Sequence, residues 1–141
     1  MVSLCERVRF YETDLMAVVH HSNYLRWFEM GRVAYLRQAG IDLNEMMKDG
    51  IMVPIVDVHC RYHQSARFDD EVLIQTTLDS CSRVKIVFRY QILRKRDGVL
   101  LAEGTSINAF TTTEVKVARL DAFYYQKLQN MLEEERETKE C

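Results

Sequence analysis

From Tyr24 to Gln38 the chain reads YLRWFEMGRVAYLRQ, a stretch without proline that most narrows the possible folds. Plotted at about 100° per residue, Arg26, Glu29, Arg32 and Arg37 fall within an arc of roughly 140°, and nearly everything else is apolar. A helix with so narrow a polar stripe is mostly buried. Gly31 lies near the middle of the apolar face, where glycine costs about 1 kcal/mol relative to alanine. Something therefore packs against its backbone, and a sheet wrapped around the helix would do so. Ser22 or Asn23 is the expected N-cap, and Gly40 stands where a left-handed residue would stop the helix. No Glu or Gln follows three residues after either candidate, so a capping box is missing.

Around this helix the hydrophobic period switches to two. Residues 2–11 alternate, with Val2, Leu4, Val8 and Phe10 on the buried side. Residues 52–62 place Met52, Val56, Val58, Cys60 and Tyr62 opposite Asp57, His59 and Arg61, and Pro54 marks the start of an edge strand. Strands are expected at 71–80 and, through Val84, Ile86, Phe88, Tyr90 and Ile92, after a tight connection. Asp97-Gly98 signals a hairpin into a last strand at 99–112, whose inward face the pattern leaves open. Residues 41–50 read as a short helical or irregular connection ending at Gly50, residues 121–132 read as a helix, and an acidic tail over 133–141 is expected to fray. The order gives an α+β domain over residues 1–132 with antiparallel neighbours. Edge strands need cover, which points to a homodimer.

At 141 residues, 48% hydrophobic and 28% charged, the chain can bury a core of its own. A net charge of −2 gives no reason to expect a nucleic-acid partner. An N-terminus without an apolar leader, and no run that could span a bilayer, imply a cytoplasmic protein with no membrane partner. Cys5, Cys60, Cys81 and Cys141 show neither paired nor metal-ligand spacing and are expected to be reduced. The pairs His20–His21 and His59–His63 do not make a metal site, because adjacent residues diverge and positions four apart on a strand lie roughly 13 Å apart. No metal or cofactor is expected.

The chemistry is expected where the first strand gives way to the helix. Asp14 follows the strand, and His21 and Ser22, with free backbone amides, precede the helix. A carboxylate and a helix N-terminus can face one small volume there. Glu29 lies on the same helix, but Arg26 and Arg32 at three-residue spacing favour an ion-pair row for it.

The stretch YETDLMAVVHHSNYLRWFE, with YHQSARFDDEV some forty residues on, resembles the 4-hydroxybenzoyl-CoA thioesterase-like family of acyl-CoA thioesterases. The resemblance spans the chain in element order. It implies the hotdog fold, a five-stranded antiparallel sheet around a long central helix, here with a C-terminal helix. It implies hydrolysis of an acyl-CoA, with Asp14 as general base or nucleophile and the His21 backbone amide polarising the thioester carbonyl. It also implies homodimers or homotetramers with sites at subunit interfaces. Ala17 stands where glycine is usual, which tightens the turn, and Ser65 replaces a frequent proline. Tyr24, one turn into the helix, reads first as core and second as a wall of an acyl pocket. Arg67, Arg83 and Lys85 are candidates for the CoA phosphates by charge alone. A non-catalytic acyl-CoA-binding hotdog protein and a hotdog hydratase or dehydratase are the alternatives.

Overall fold

The computed structural model describes residues 1–140, with side chains to Thr138. The fourth cysteine, Cys141, lies outside the described residues, and Cys5, Cys60 and Cys81 are free thiols. The elements are β1 (Val2–Arg7), α1 (Ser22–Gln38), α2 (Leu43–Lys48), β2 (Ile55–Tyr62), β3 (Glu71–Cys81), β4 (Lys85–Arg94), β5 (Leu100–Ala109) and α3 (Ala122–Glu140). The five strands form one antiparallel sheet in the order β1-β3-β4-β5-β2, leaving β1 and β2 at the edges.

Alternation fixes which side is core. Val72, Ile74, Thr76 and Leu78 of β3 and Ile86, Phe88, Tyr90 and Ile92 of β4 are buried against α1, which contributes Tyr24, Trp27, Phe28, Gly31 and Tyr35. The inward face of β5, open in the sequence, is small and polar: Ala102, Gly104, Ser106 and Asn108. Smallness is required there, because a Cβ on Gly104 would sit 2.1 Å from the His59 carbonyl and 2.8 Å from the Phe28 ring. Phe28 stacks on Tyr90 at 4.3 Å, and the Tyr90 hydroxyl meets Ser106 at 2.5 Å. Gly31 behaves as its position in the apolar face requires. A Cβ there would lie 2.2 Å from Thr76 Oγ1 and 3.0 Å from Ile74 Cγ2.

Several expectations change. The first strand ends at Arg7, and Phe10–Glu12 form a 3₁₀ turn, so Phe10 is exposed rather than inward-facing. Glu12 causes this by curling back to accept the Arg9 N–H at 2.7 Å. α1 begins at Ser22 with His21 as N-cap and no side-chain cap, because Ser22 and Asn23 are otherwise engaged. The ion-pair row does not form: Arg32 donates to the Tyr90 hydroxyl, Arg26 reaches Asn23, and Glu29 has no ion-pair partner among the described residues. For residues 41–50 the helical alternative holds: they contain α2, capped by Asp42, whose Oδ1 accepts the Asn44 N–H at 2.8 Å.

The C-terminal helix runs to Glu140, well beyond residue 132, and shares the α1 side of the sheet. Its apolar face, Tyr124, Leu128, Met131 and Leu132, is buried. Glu135, read as tail, is also buried, where it accepts hydrogen bonds from the Tyr35 hydroxyl and the Met1 ammonium. Among the described residues no helix is long and apolar enough to cross a membrane.

Candidate active site

Residues 13–19 form a closed loop between β1 and α1. Thr13 bridges Val19, Asp14 N–H donates to the Val18 carbonyl at 2.9 Å, and Ala17 N–H donates to the Asp14 carbonyl at 3.0 Å. The turn needs a left-handed residue at Ala17, whose φ is +62°. A neighbouring segment straps the loop down, with Val18 bridging Arg67 and Val19 N–H donating to the Ala66 carbonyl at 2.9 Å.

Glu12 ties this loop to the helix. Its Oε2 accepts the Trp27 indole N–H at 3.1 Å, and its carbonyl accepts from His20 N–H at 2.9 Å and from Asn23 Nδ2 at 2.8 Å. The carboxylate is buried, so these bonds replace the water it gives up. Sequence reasoning passed over Glu12 because a carboxylate in a turn reads as solvated. The available signal was Trp27, a helix tryptophan whose indole N–H needs an acceptor when buried.

Asp14 is half-buried, and its two oxygens differ. Oδ1 accepts the Met16 N–H at 2.8 Å in an Asx turn, and Oδ2 has no partner among the described residues. The amides at the helix entrance also differ. Ser22 N–H goes to His20 Nδ1 at 3.2 Å, Asn23 N–H to the His20 carbonyl at 3.0 Å and Tyr24 N–H to the His21 carbonyl at 3.3 Å. Ser22 therefore drops out as a free donor. His21 N–H has no acceptor among the described residues, and the Tyr62 hydroxyl, at 3.1 Å from the His21 carbonyl, holds that peptide in place.

Asp14 and His21 line one cleft of about 250 Å³ with Val19, Tyr24, Tyr62, His63, Gln64 and Ser65. Tyr24 belongs to the core and also borders this cleft. Its ring is buried beside Trp27 at 5.0 Å, its hydroxyl accepts the Ala66 N–H at 3.0 Å, and it lines this cleft. Burial pushes the pKa of its hydroxyl upward, favouring the neutral phenol. Arg67 stands next to the Asp14 loop through its bridge to Val18. Arg83 and Lys85 do not join the site within one chain. They lie at the far end of β3 from Arg67, where Arg83 donates to the Leu120 carbonyl at 2.8 Å and lies over the Tyr125 ring.

A second cleft of about 350 Å³ opens between α1, α2 and the start of β2, walled by Val33, Leu36, Leu43 and Met47. Glu29, Arg32 and Asn108 supply its polar groups, and Asn108 Oδ1 is buried with no hydrogen-bond partner among the described residues. Among the described residues no group of three His, Cys, Asp or Glu is arranged to hold a metal ion.

A five-stranded antiparallel sheet curled about a central helix, with a carboxylate at the helix entrance, defines an α+β hotdog domain. The family model for the thioesterase-like superfamily matches residues 8–130, and the chain belongs to that superfamily. It is similar to the putative acyl-CoA thioesterase YneP of Bacillus subtilis, with 34% identity over 70% of this chain and 71% of that one. A hypothetical protein of Thermus thermophilus, TT1821, superposes with a TM-score of 0.85 at 33% identity, covering 92% of this chain and 98% of that one. The DHNA-CoA thioesterase of Staphylococcus aureus gives a TM-score of 0.85 at 29% identity, covering 94% and 93%.

Proposed function

We propose that this chain is an acyl-CoA thioesterase in which Asp14 attacks the thioester carbonyl or activates water to do so, while the His21 N–H binds the developing oxyanion. One observation carries the reading: a carboxylate with a free Oδ2 and a free helix-entrance amide line the same cleft. The printed names of relatives such as the Bacillus subtilis protein support the substrate class.

The chemistry asks for little more. Water adds to the carbonyl as its proton passes to Asp14, the tetrahedral oxyanion collapses, and the C–S bond breaks. Coenzyme A departs as a thiolate, a competent leaving group because a thiol of ordinary pKa near 8.5 needs little acid help. The uncapped end of α1 adds its positive dipole to the oxyanion site. The acting form is a cytoplasmic homo-oligomer, with the exposed β2 edge as the reason to expect association.

Thiol release from a panel of acyl-CoAs, measured with the wild type and with Asp14→Asn, tests this. The variant should lose on the order of 10²- to 10⁴-fold in kcat on the preferred substrate. His21→Ala keeps the amide and should stay within about tenfold of wild type, well short of the 10² to 10³ typical of a lost oxyanion donor. An Asp14→Asn enzyme as fast as wild type overturns the assignment. Binding of acyl-CoA without thiol release would identify a non-catalytic binder instead.

A further inference from the structure

The stretch YHQSARFDDEV carries more than the strap over the Asp14 loop. Near its start the His63 and Gln64 N–H groups both donate to the Leu101 carbonyl, at 2.8 and 3.1 Å. Further on, Asp70 Oδ2 accepts the Arg67 N–H at 3.0 Å. The backbone between is held at both ends, and from it the Gln64 side chain lines the Asp14 cleft.

Beside Gln64 stands Arg94, the last residue of β4, whose side chain is only 13% exposed. Its Nη1 donates to Asp97 Oδ2 at 3.2 Å and its Nη2 to Gln64 Oε1 at 3.5 Å. Nε lies 4.0 Å from Asp70 Oδ2, beyond hydrogen-bond reach, and has no partner among the described residues. A guanidinium placed for stability alone would close on Asp70, because a buried N–H left unpaired costs about 1–3 kcal/mol. This one is spread between the hairpin and Gln64 instead.

That contact fixes which way the Gln64 amide faces. A guanidinium can only donate, so the Gln64 oxygen turns toward Arg94 and the Nε2 amino group turns away. Nε2 has no acceptor among the described residues, which leaves an oriented donor on the wall of the cleft.

We propose that Gln64 is a catalytic residue, donating from Nε2 to the thioester oxygen alongside the His21 N–H, and that Arg94 is the positioning residue that aims it.

A carbonyl oxygen on its way to an oxyanion has lone pairs for two donors. The helix entrance offers only the His21 N–H, since the Ser22, Asn23 and Tyr24 amides are taken. Donors act most strongly when they are held in place before the charge develops. Among the other side chains of the cleft, the Tyr62 hydroxyl is spent on the His21 carbonyl and His63 is turned to Glu103 at 3.3 Å. Ser65 lines the cleft, but no bond among the described residues fixes its hydroxyl. Gln64 keeps its protons throughout: water still gives its proton to Asp14, and coenzyme A still leaves as the thiolate.

This assignment rests on the thioesterase reading, and the tests separate the two. Gln64→Glu keeps an oxygen for Arg94 and replaces the donor with a second acceptor. On the preferred acyl-CoA its kcat should fall on the order of 10²-fold while KM stays within about threefold. Arg94→Met should lower kcat by a similar factor. The Gln64→Ala/Arg94→Met double variant should be no slower than Gln64→Ala, because Arg94 acts through Gln64. Should the methionine variant fail to fold, Arg94→Lys, which keeps the charge but not the fork, serves in the same comparison. With Asp14→Asn holding the substrate intact, the infrared carbonyl stretch of bound acyl-CoA should move to higher frequency when Gln64→Glu is added. A merely structural role would leave that frequency alone. A Gln64→Glu enzyme within about threefold of wild type, a rise in KM alone, or an unmoved carbonyl stretch overturns the donor. Effects of Gln64→Ala and Arg94→Met that multiply in full overturn the positioning role. If wild type releases no thiol from any acyl-CoA, the thioesterase reading has failed and this assignment falls with it. If wild type and Gln64→Glu release thiol equally well, only this assignment has failed.

Discussion

Ala17 sits at φ +62° in the loop that presents Asp14, with its side chain exposed. An L-residue in the left-handed region costs roughly 1–2 kcal/mol because its Cβ crowds the following carbonyl. Glycine escapes that cost but surrenders about 0.4–1 kcal/mol through the greater freedom of its unfolded chain. No packing is lost with the methyl group, so Ala17→Gly should stabilise the fold by a net of about 0.5–1 kcal/mol. For a domain of this size that is a rise in Tm of about 2–4 °C. Differential scanning calorimetry reads the shift directly, with urea denaturation at unchanged m-value as the check. The backbone bonds that hold Asp14 stay in place, so kcat should change less than about threefold, equivalent to under about 0.7 kcal/mol. A lower Tm in the glycine variant would refute the reasoning, because the left-handed turn would then not be strained at Ala17.

Other perturbations follow from the same packing. Gly31→Ala gains about 1 kcal/mol of helix propensity but drives a methyl group into Thr76 and Ile74, so urea melts should show a net loss of about 1–2 kcal/mol. Glu12→Ala strips the acceptor from the Trp27 indole and from Arg9 N–H, and should cost roughly 3–5 kcal/mol and lower kcat by loosening the Asp14 loop. Tyr124 donates to Asp49, and burial with that carboxylate pushes its pKa from 10.0 up to about 12. The folded chain thus keeps a proton that the unfolded chain releases, so this contribution is intact below pH 10 and is lost as pH rises toward 12. Tyr124→Phe should reduce the alkaline loss of stability over that window, leaving the parts due to Tyr62, raised to about 12, and to the buried Tyr24, Tyr35 and Tyr90, whose pKa values are raised as well.

The central helix was legible because its apolar face is wide and Gly31 is out of place on any other reading. Strand alternation located β3 and β4, and Asp97-Gly98 announced the hairpin through Gly98 at φ +71°. The inward side of β5 was not legible, because Gly104, Ser106 and Asn108 are chosen for the bulk of Phe28 and Tyr90 rather than for hydrophobicity. The run Glu133–Glu137 looked solvated, since nothing local reveals that Glu135 meets Tyr35 across the fold. At the site, Asp14 and His21 came from a motif. Why His21 rather than Ser22 keeps its amide free depends on the His20 ring taking that of Ser22, a contact visible only in three dimensions.

The last helix latches the rest of the domain at three points: Tyr124 to Asp49, Lys127 to the Gly40 carbonyl, and Glu135 to Tyr35. All three partners lie well before α3 in the sequence, so a nascent chain emerging from the ribosome carries the Tyr35 hydroxyl and the flank of β3 uncovered until α3 has been made. Completion of this fold therefore waits on the synthesis of α3, and chaperone capture should be greatest for chains stalled just short of Asp121.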